Sequence, residues 1–344
     1  MAYPVLTGAV LIEANGAALN NAGLEEGRRV ENAIVVKQIR VGRLRYPYVS
    51  GQAWRRWWRE VLYADFDWEP SPVTVISRPQ QVFTEGDPIA YAEDDLFGYM
   101  VARKEGTFRR VSPLKNSLLI SVLPNVIERD FGHFTRNLPP EANPLLYEAE
   151  HYTAPLQGVF TIALSDVGHF ETGEMYDLSE EVVQTHVGEM EAVDERRYRL
   201  SSSQRVQRVR DVMRALARLR GGAHLARNLS DVTPVAVLVG FLDGGNAPFQ
   251  RLFAPDVNRE QVVLNLERLQ SVLRDYQNRL LPPADGKALY FGYRPTVLAN
   301  EAEVLNAFAH DELFRDRLAI SGTPAQALEA AAEVVASVYA QYVG

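Results

Sequence analysis

No cysteine occurs in the chain, so disulfides and thiolate metal sites are excluded, and a reducing compartment is the expectation. No apolar run is long enough to cross a bilayer as a helix. The opening "MAYPVLTGAVLIEANG" also lacks the basic start and apolar stretch of a signal segment, which predicts a soluble, cytoplasmic protein without a membrane partner. The six histidines (His133, His151, His169, His186, His224, His310) show no metal-ligand spacing, and H-E-x-x-H, P-loop and G-x-S-x-G motifs are missing. Asp94-Asp95 and the group Glu148, Glu150, His151 come nearest to an acid-base or metal cluster. Acids beside a turn more often solvate or cap it, and His151 reads more readily as a half-buried histidine than as a general base. The expectation is therefore no catalytic residue, no metal and no cofactor.

At 344 residues and 47% apolar, the chain can bury a substantial core, as one large domain with insertions or two modest ones. Its net charge of -8 would argue against nucleic acid if it were evenly spread, but it is not. From Arg28 to Glu60 nine cations face two acids, about +7. From Arg196 to Arg227 ten arginines face one acid, about +9. Either run alone could be a solvated helix face. Together, in an otherwise acidic chain, they suggest a polyanion-binding face.

The first run contains "YPYVSGQAWRRWWRE", residues 46–60, with three of the four tryptophans. Ser50 is a good N-cap, and Trp54, Trp57, Trp58, Val61 and Leu62 fall at helical spacing. The tryptophans are expected in the core, and Arg55 and Arg59 on an exposed face with Arg56 undecided. Strands are predicted at Pro4 to Ala14, Glu31 to Val41, Asn116 to Pro124, Gly158 to Ser165 and Thr233 to Asp243. Residues 73–83 look extended, 87–111 broken into turns and short elements, and 129–155 irregular around Pro139, Pro140, Pro144 and Pro155. An exposed excursion, such as a long hairpin, is expected from His169 to Arg199. A second helix runs from Gln204 to Arg220, stopped by Gly221-Gly222; Val257 to Leu280 reads as an amphipathic helix, and a last helix starts at Thr323-Pro324. Two helices placed between strands suggest an α+β, β-α-β-β-α-β ferredoxin-like core enlarged by insertions.

At the N-terminus of the first helix, Ser50, Gly51 and Gln52 can hold a phosphate through backbone, hydroxyl and amide donors, with Arg55 and Arg59 one turn on supplying charge and forked donors. Such contacts position a strand without reading its sequence. The loop "RGGAHLARN" from Arg220 to Asn228 brings Gly221, Gly222 and Arg227, although taken by itself it reads more readily as a plain glycine C-cap.

"SGQAWRRWWRE", with "LNNAG", "DDLFGYM", "SPLKNS", "EAEHYTAPLQGVFTIALSDVG" and "GGAHLARNLSDVTPVAVLV" in this order, resembles the backbone subunit of type I CRISPR Cascade complexes, most of all the DevR-like branch of subtype I-B. The resemblance runs from about Val5 to Phe249. It implies a modified RRM palm of the RAMP superfamily with inserted helical fingers, a β-hairpin thumb and C-terminal helices. The corresponding segments are palm at 1–68, 157–168 and 204–250, fingers with one palm strand at 69–156, thumb at 169–203, and a C-terminal helical region at 251–344. It also implies guide-phosphate contacts at Ser50, Gln52, Arg55 and Arg59, a further contact at Asn20, and a glycine-rich loop at Gly221, Gly222 and Ala223. There His224 takes a place often held by a basic residue. Lys37, Arg43 and Arg45 are added on charge.

The function so implied is a non-catalytic subunit that stacks head to tail with further copies of itself along CRISPR RNA and holds the guide backbone independently of sequence. The guide then pairs with target DNA in antiviral defence, alongside other Cascade subunits. The main alternative is a RAMP-type endoribonuclease that processes guide RNA or cuts target RNA. A scaffold that binds protein only is a second alternative.

Overall fold

A computed structural model describes residues 3–23, 33–77, 80–103, 106–135, 137–139, 141–173 and 175–344. At its centre strand Pro4–Ala17 lies antiparallel between Pro234–Asp243 and Leu145–Ala163. The sheet continues from Leu145–Ala163 through Leu119–Ser121 and Leu44–Val49 to Gln38–Val41, every pair antiparallel. On the other side it adds Leu289–Tyr293, antiparallel, and then Leu318–Ile320, parallel.

Six pieces set the frame, in chain order strand Pro4–Ala17, helix Gly51–Asp65, strands Leu119–Ser121 and Leu145–Ala163, helix Ser202–Leu216 and strand Pro234–Asp243. Across the sheet the four strands stand in the order fourth, first, third, second. This α+β arrangement is compatible with a ferredoxin-like palm.

Side chains of a strand alternate between faces, and here both faces are covered. Leu6, Val10 and Ile12 of the first strand, with Val237, Val239 and Phe241, enter the core beneath the two helices. Val5, Ala9 and Leu11, with Ala236, Leu238 and Leu242, enter a second core roofed by residues from Phe249 to Leu318. Double burial explains why "VAVLVGFL" reads as a continuous apolar run instead of an alternating one.

The first helix forms as its spacing requires. Ser50 Oγ accepts from Ala53 N at 3.3 Å, and Trp54, Trp57, Trp58, Val61 and Leu62 are all buried. Trp54 stacks on Trp58 at 5.7 Å between centroids, and Trp58 meets Phe160 edge-on at 5.6 Å while donating to Val212 O at 2.8 Å. That indole bond pins the first helix to the second. The second helix starts on a capping box of Ser201 and Gln204.

Several expectations are overturned. Residues 129–155 are not irregular: Ile127–Phe134 pairs antiparallel with the first half of Leu145–Ala163, from Ile127 opposite Tyr152 to Phe134 opposite Leu145. Charged residues in this hairpin erase the apolar alternation by which strands are recognised, and the prolines at 139 and 144 fall in its connection. The described part of the fingers segment is less helical than expected. It carries two hairpins, Val73–Ser77 with Gln80–Thr84 and Tyr99–Arg103 with Gly106–Arg110, and one short helix, Ala92–Phe97. The segment 169–203 is no open excursion. Its strands His169–Glu171, Arg197–Arg199 and Glu191–Ala192 form a small sheet, and with helix Glu180–Thr185 they close over Phe170, Leu178, Val182, Leu200 and the inserted Ile89. The C-terminal region contributes strands as well as helices. Its helix Leu266–Tyr276 begins later than expected because Asn265 caps it, accepting from Arg268 N at 2.9 Å, after a hairpin of Phe253–Pro255 and Val262–Leu264.

Candidate nucleic-acid interface

Three segments distant in sequence meet at the N-terminal end of the first helix. The end of the first strand brings Asn20, whose Oδ1 accepts from Ser50 N at 2.9 Å and whose carbonyl accepts from Lys37 N at 3.1 Å. The helix contributes Ser50 and the exposed Gln52. The loop after the second helix arrives through a backbone bridge between Ala18 and Ala223, with Asn21 Nδ2 and His224 Nε2 at 3.0 Å. Among the predicted residues, the structure therefore gathers Asn20, Lys37, Ser50, Gln52, Gly221, Gly222 and Arg227 around one rim.

Both glycines of that loop are required by its path. A Cβ on Gly221 would fall 2.1 Å from Cδ1 of Trp57, and Gly222 holds φ at +122°. The loop is thus more than a helix stop; it lies directly on the indole of the first helix. Asn228 fixes its far end by donating to Gly16 O at 2.8 Å, and exposed Arg227 stands over the Tyr147 ring at 5.6 Å. His224 sits in the left-handed region at φ +56°, and burial together with the Arg227 charge holds its imidazole below the usual value.

From the rim a two-stranded ribbon, Gln38–Val41 with Leu44–Val49, extends outward, its first strand following Lys37 and its second leading into Ser50. Arg43 is exposed in its turn beside Gly42, and exposed Arg45 lies directly opposite exposed Arg40. Like charges facing each other across a ladder repel, and none of the three makes an ion pair among the described residues. Among the described residues, this ribbon offers exposed cations of the first charge run to a polyanion. The run's members Arg28, Arg29 and Glu31 lie outside the described residues.

Arg55 and Arg59 do not form the exposed ladder expected of them. The Arg55 guanidinium donates to the carbonyls of Leu114 and Phe97, both at 2.7 Å, to Ser112 Oγ at 3.0 Å and to Asn116 Oδ1 at 3.2 Å. Burial, and secondarily Arg59, lowers its pKa to about 10. Arg59 pairs with Glu93 at 3.0 Å and covers the Phe97 ring at 4.3 Å. Both side chains fasten the inserted segment to the helix, a use that depends on residues 34 to 61 positions away. Arg56 points outward and pairs only locally, with Glu60 at 2.8 Å.

Most arginines of the second run are engaged by partners within the protein, at its surface as well as in its interior. Buried Arg205 donates to the carbonyls of Val167, Leu164 and Ser165, and buried Arg208 to those of Pro88 and Ile89 and to Asp95 at 2.6 Å. Arg210 bonds the carbonyls of Ala332 and Glu333, and Arg214 pairs with Glu329. Arg196, Arg197 and Arg199 pair with Glu171, Asp194 and Glu191, and Arg218 and Arg220 approach Asp65. Arg227 is the member of this run that stands at the rim.

The candidate acids are engaged too. Asp95 is fully buried between Arg110 and Arg208 and accepts from Gly168 N at 2.9 Å. Asp94 accepts from Ser71 Oγ at 2.8 Å, Gly86 N at 3.0 Å and Asp87 N at 3.1 Å, and burial raises its pKa. Glu150 accepts from Val36 N at 3.2 Å and approaches Arg129 at 3.4 Å, while strand alternation turns His151 to the opposite face. Among the described residues no group of three or more His, Asp or Glu could hold a metal ion, and no helix is long and apolar enough to cross a membrane.

Two residues of the rim escaped sequence reasoning. Asn21 is hidden beside Asn20 in "LNNAG", and Arg40 was one charge among nine until strand register placed it opposite Arg45.

Comparison with known proteins gives the family. No curated protein sequence matches the chain. Among solved structures, a chain of a CRISPR RNA-guided surveillance complex shares this fold with a TM-score of 0.53 and 12% identity, over 96% of this chain and 98% of that one. A chain of a CRISPR RNA-guided surveillance complex in a pre-nicking state gives 0.54 and 12%, over 96% and 100%. The family model described as "CRISPR-associated negative auto-regulator DevR/Csa2" matches residues 8–253, so it spans the helices Gly51–Asp65 and Ser202–Leu216 and the rim and ends where the roof over the second sheet face begins. The chain belongs to the CRISPR-associated DevR/Csa2 family.

Proposed function

We propose that the protein is a non-catalytic backbone subunit of a type I-B Cascade complex that grips CRISPR RNA by its sugar-phosphate backbone along the rim formed by Asn20, Asn21, Lys37, Ser50, Gln52, Gly221, Gly222 and Arg227. The convergence of three distant segments on the N-terminus of one helix is the observation that carries this reading. A helix N-terminus, amide side chains, a glycine loop and free cations make a sequence-independent phosphate track. The ribbon bearing Arg40, Arg43 and Arg45 extends that track.

The closed second face of the sheet sharpens the mode of binding. An RRM stacks bases on its open sheet face. Here Val5, Ala9, Leu11 and Leu238 on that face are buried under the C-terminal roof. The strand must therefore run over loops and a helix end. Bases left unread by the protein are free to pair with target DNA, and head-to-tail copies beside other Cascade subunits would continue the track. For the family's thumb, the hairpin Ile127–Phe134 with Leu145–Tyr152 is a candidate beside the segment 169–203, which packs into a lobe.

The test is binding of labelled single-stranded RNA by a Lys37→Glu/Arg227→Glu variant at several salt concentrations. The expected result is weaker binding with a shallower salt dependence. Unchanged affinity and slope would sink the reading. Incubation of pure protein with the same RNA, with and without Mg²⁺, tests the nuclease alternative: cuts abolished by replacing one acid or histidine would establish it.

A further inference from the structure

We infer that His224, braced by Asn21, hydrogen-bonds the ribose 2′-hydroxyl of the bound strand and thereby makes this loop selective for RNA over DNA. The inference deepens the proposed function and rests on it.

The loop holds His224 in a demanding geometry. Its backbone is left-handed, which is uncommon outside glycine, and its carbonyl accepts from Arg227 N at 3.0 Å and Asn228 N at 2.9 Å. The Ala18–Ala223 bridge and the Asn228–Gly16 bond fix the residues on either side. Strain kept by so many restraints marks a position whose side chain is wanted where it stands.

The chemistry of the side chain then selects the ligand atom. With Asn21 Nδ2 donating to Nε2 at 3.0 Å, the proton of the neutral ring resides on Nδ1, which has no partner among the described residues. Burial and the neighbouring Arg227 favour that neutral form at pH 7. A neutral imidazole is a poor substitute for lysine or arginine at a phosphate, and Arg227 is at hand for that task. Asn21 Oδ1 is buried and has no donor among the described residues, so it leaves the ring to Nδ2 alone. The ring thus keeps one spare donor, Nδ1–H, for a ligand acceptor. The 2′-hydroxyl donates and accepts, recurs at every nucleotide whatever the base, and is absent from DNA.

The experiment compares binding of an RNA strand and a DNA strand of the same sequence by the wild-type protein and by His224→Gly, since glycine adopts the left-handed backbone without strain. Wild type is expected to prefer RNA. His224→Gly is expected to lose about fivefold in RNA affinity, the size of one hydrogen bond, with DNA affinity and salt slope unchanged. Asn21→Ala, which leaves the loop backbone intact, should move the RNA-to-DNA ratio the same way. An unchanged ratio, or equal losses on both strands, overturns the inference while leaving the RNA-binding reading in place. A wild-type protein that binds neither strand overturns both.

Discussion

In the ribbon Gln38–Val41 with Leu44–Val49, Arg40 and Arg45 face each other in solvent; in the helix Ser202–Leu216, Arg205 and Arg208 are buried three residues apart. The two arginine runs carry similar charge excess, yet the first keeps exposed arginines without ion pairs among the described residues, whereas the second pairs most of its arginines and buries Arg205 and Arg208. What separates them is the reach of carbonyl and carboxylate partners. A guanidinium can be buried only when its donors are satisfied, and the second helix faces strand ends, turns and Asp95, which offer those acceptors. Among the described residues, Arg40, Arg43 and Arg45 of the ribbon find no carboxylate partner. Excess charge along a sequence therefore marks a nucleic-acid face only after the internally satisfied arginines are subtracted.

The largest blow to this contrast should come at Asp95. Asp95→Ala leaves Arg110 and Arg208 buried without their carboxylate, and a loss of about 3–5 kcal/mol is expected in urea denaturation. A loss of less than about 1 kcal/mol would mean that the arginines escape to solvent.

Arg55 comes next. Because its donors serve Leu114, Asn116, Phe97 and Ser112, Arg55→Ala should cost about 1.5–3 kcal/mol of stability. Full stability combined with lost RNA binding would restore Arg55 as a surface contact. By contrast, replacing Arg40, Arg43 and Arg45 together by alanine should change stability by no more than about 0.5 kcal/mol. The same triple variant should flatten the salt dependence of RNA binding by about 2 in log-log slope, which fluorescence anisotropy measures directly.

The smallest expected effect is a pH dependence in the lobe 169–199. Burial acts to lower the His186 pKa, but its bonds to Asp87 at 2.7 Å and Glu189 at 3.0 Å outweigh burial, and the pKa is raised above 6.5. A raised folded-state value means that this contribution to stability is fully present below about pH 6.5 and fades as pH climbs through the folded-state pKa. Thermal melts of wild type and His186→Gln should therefore converge on going from pH 6 to pH 9. A constant gap would show that the ring is held without its proton.

Elements whose partners lie close in sequence were legible beforehand. The first helix, its Ser50 cap and the inward tryptophans follow from spacing alone, as do the buried strand ending at Asp243 and the capped second helix. The hairpin 127–152 was not legible, because the charged and polar residues of its strands remove the apolar alternation. Nor was the lobe at 169–199, whose core borrows Ile89 from another segment. At the candidate site, Ser50, Gln52 and Asn20 could be named from residue type and motif. Arg55 and Arg59 were misplaced because the insertion that captures them returns to the helix from 34 or more residues away.

The sequence by itself determined the periodic helices, the apolar strands, the uneven charge and the family resemblance, since each depends on neighbours within a turn or a strand. The tertiary structure alone decided which cations stay free, that Gly221 must be glycine to lie on Trp57, that His224 meets Asn21, and that the C-terminal roof closes one face of the sheet. Those outcomes hinge on contacts between segments up to about two hundred residues apart, and the cost of burying an unpartnered polar group enforces them only once the chain has closed.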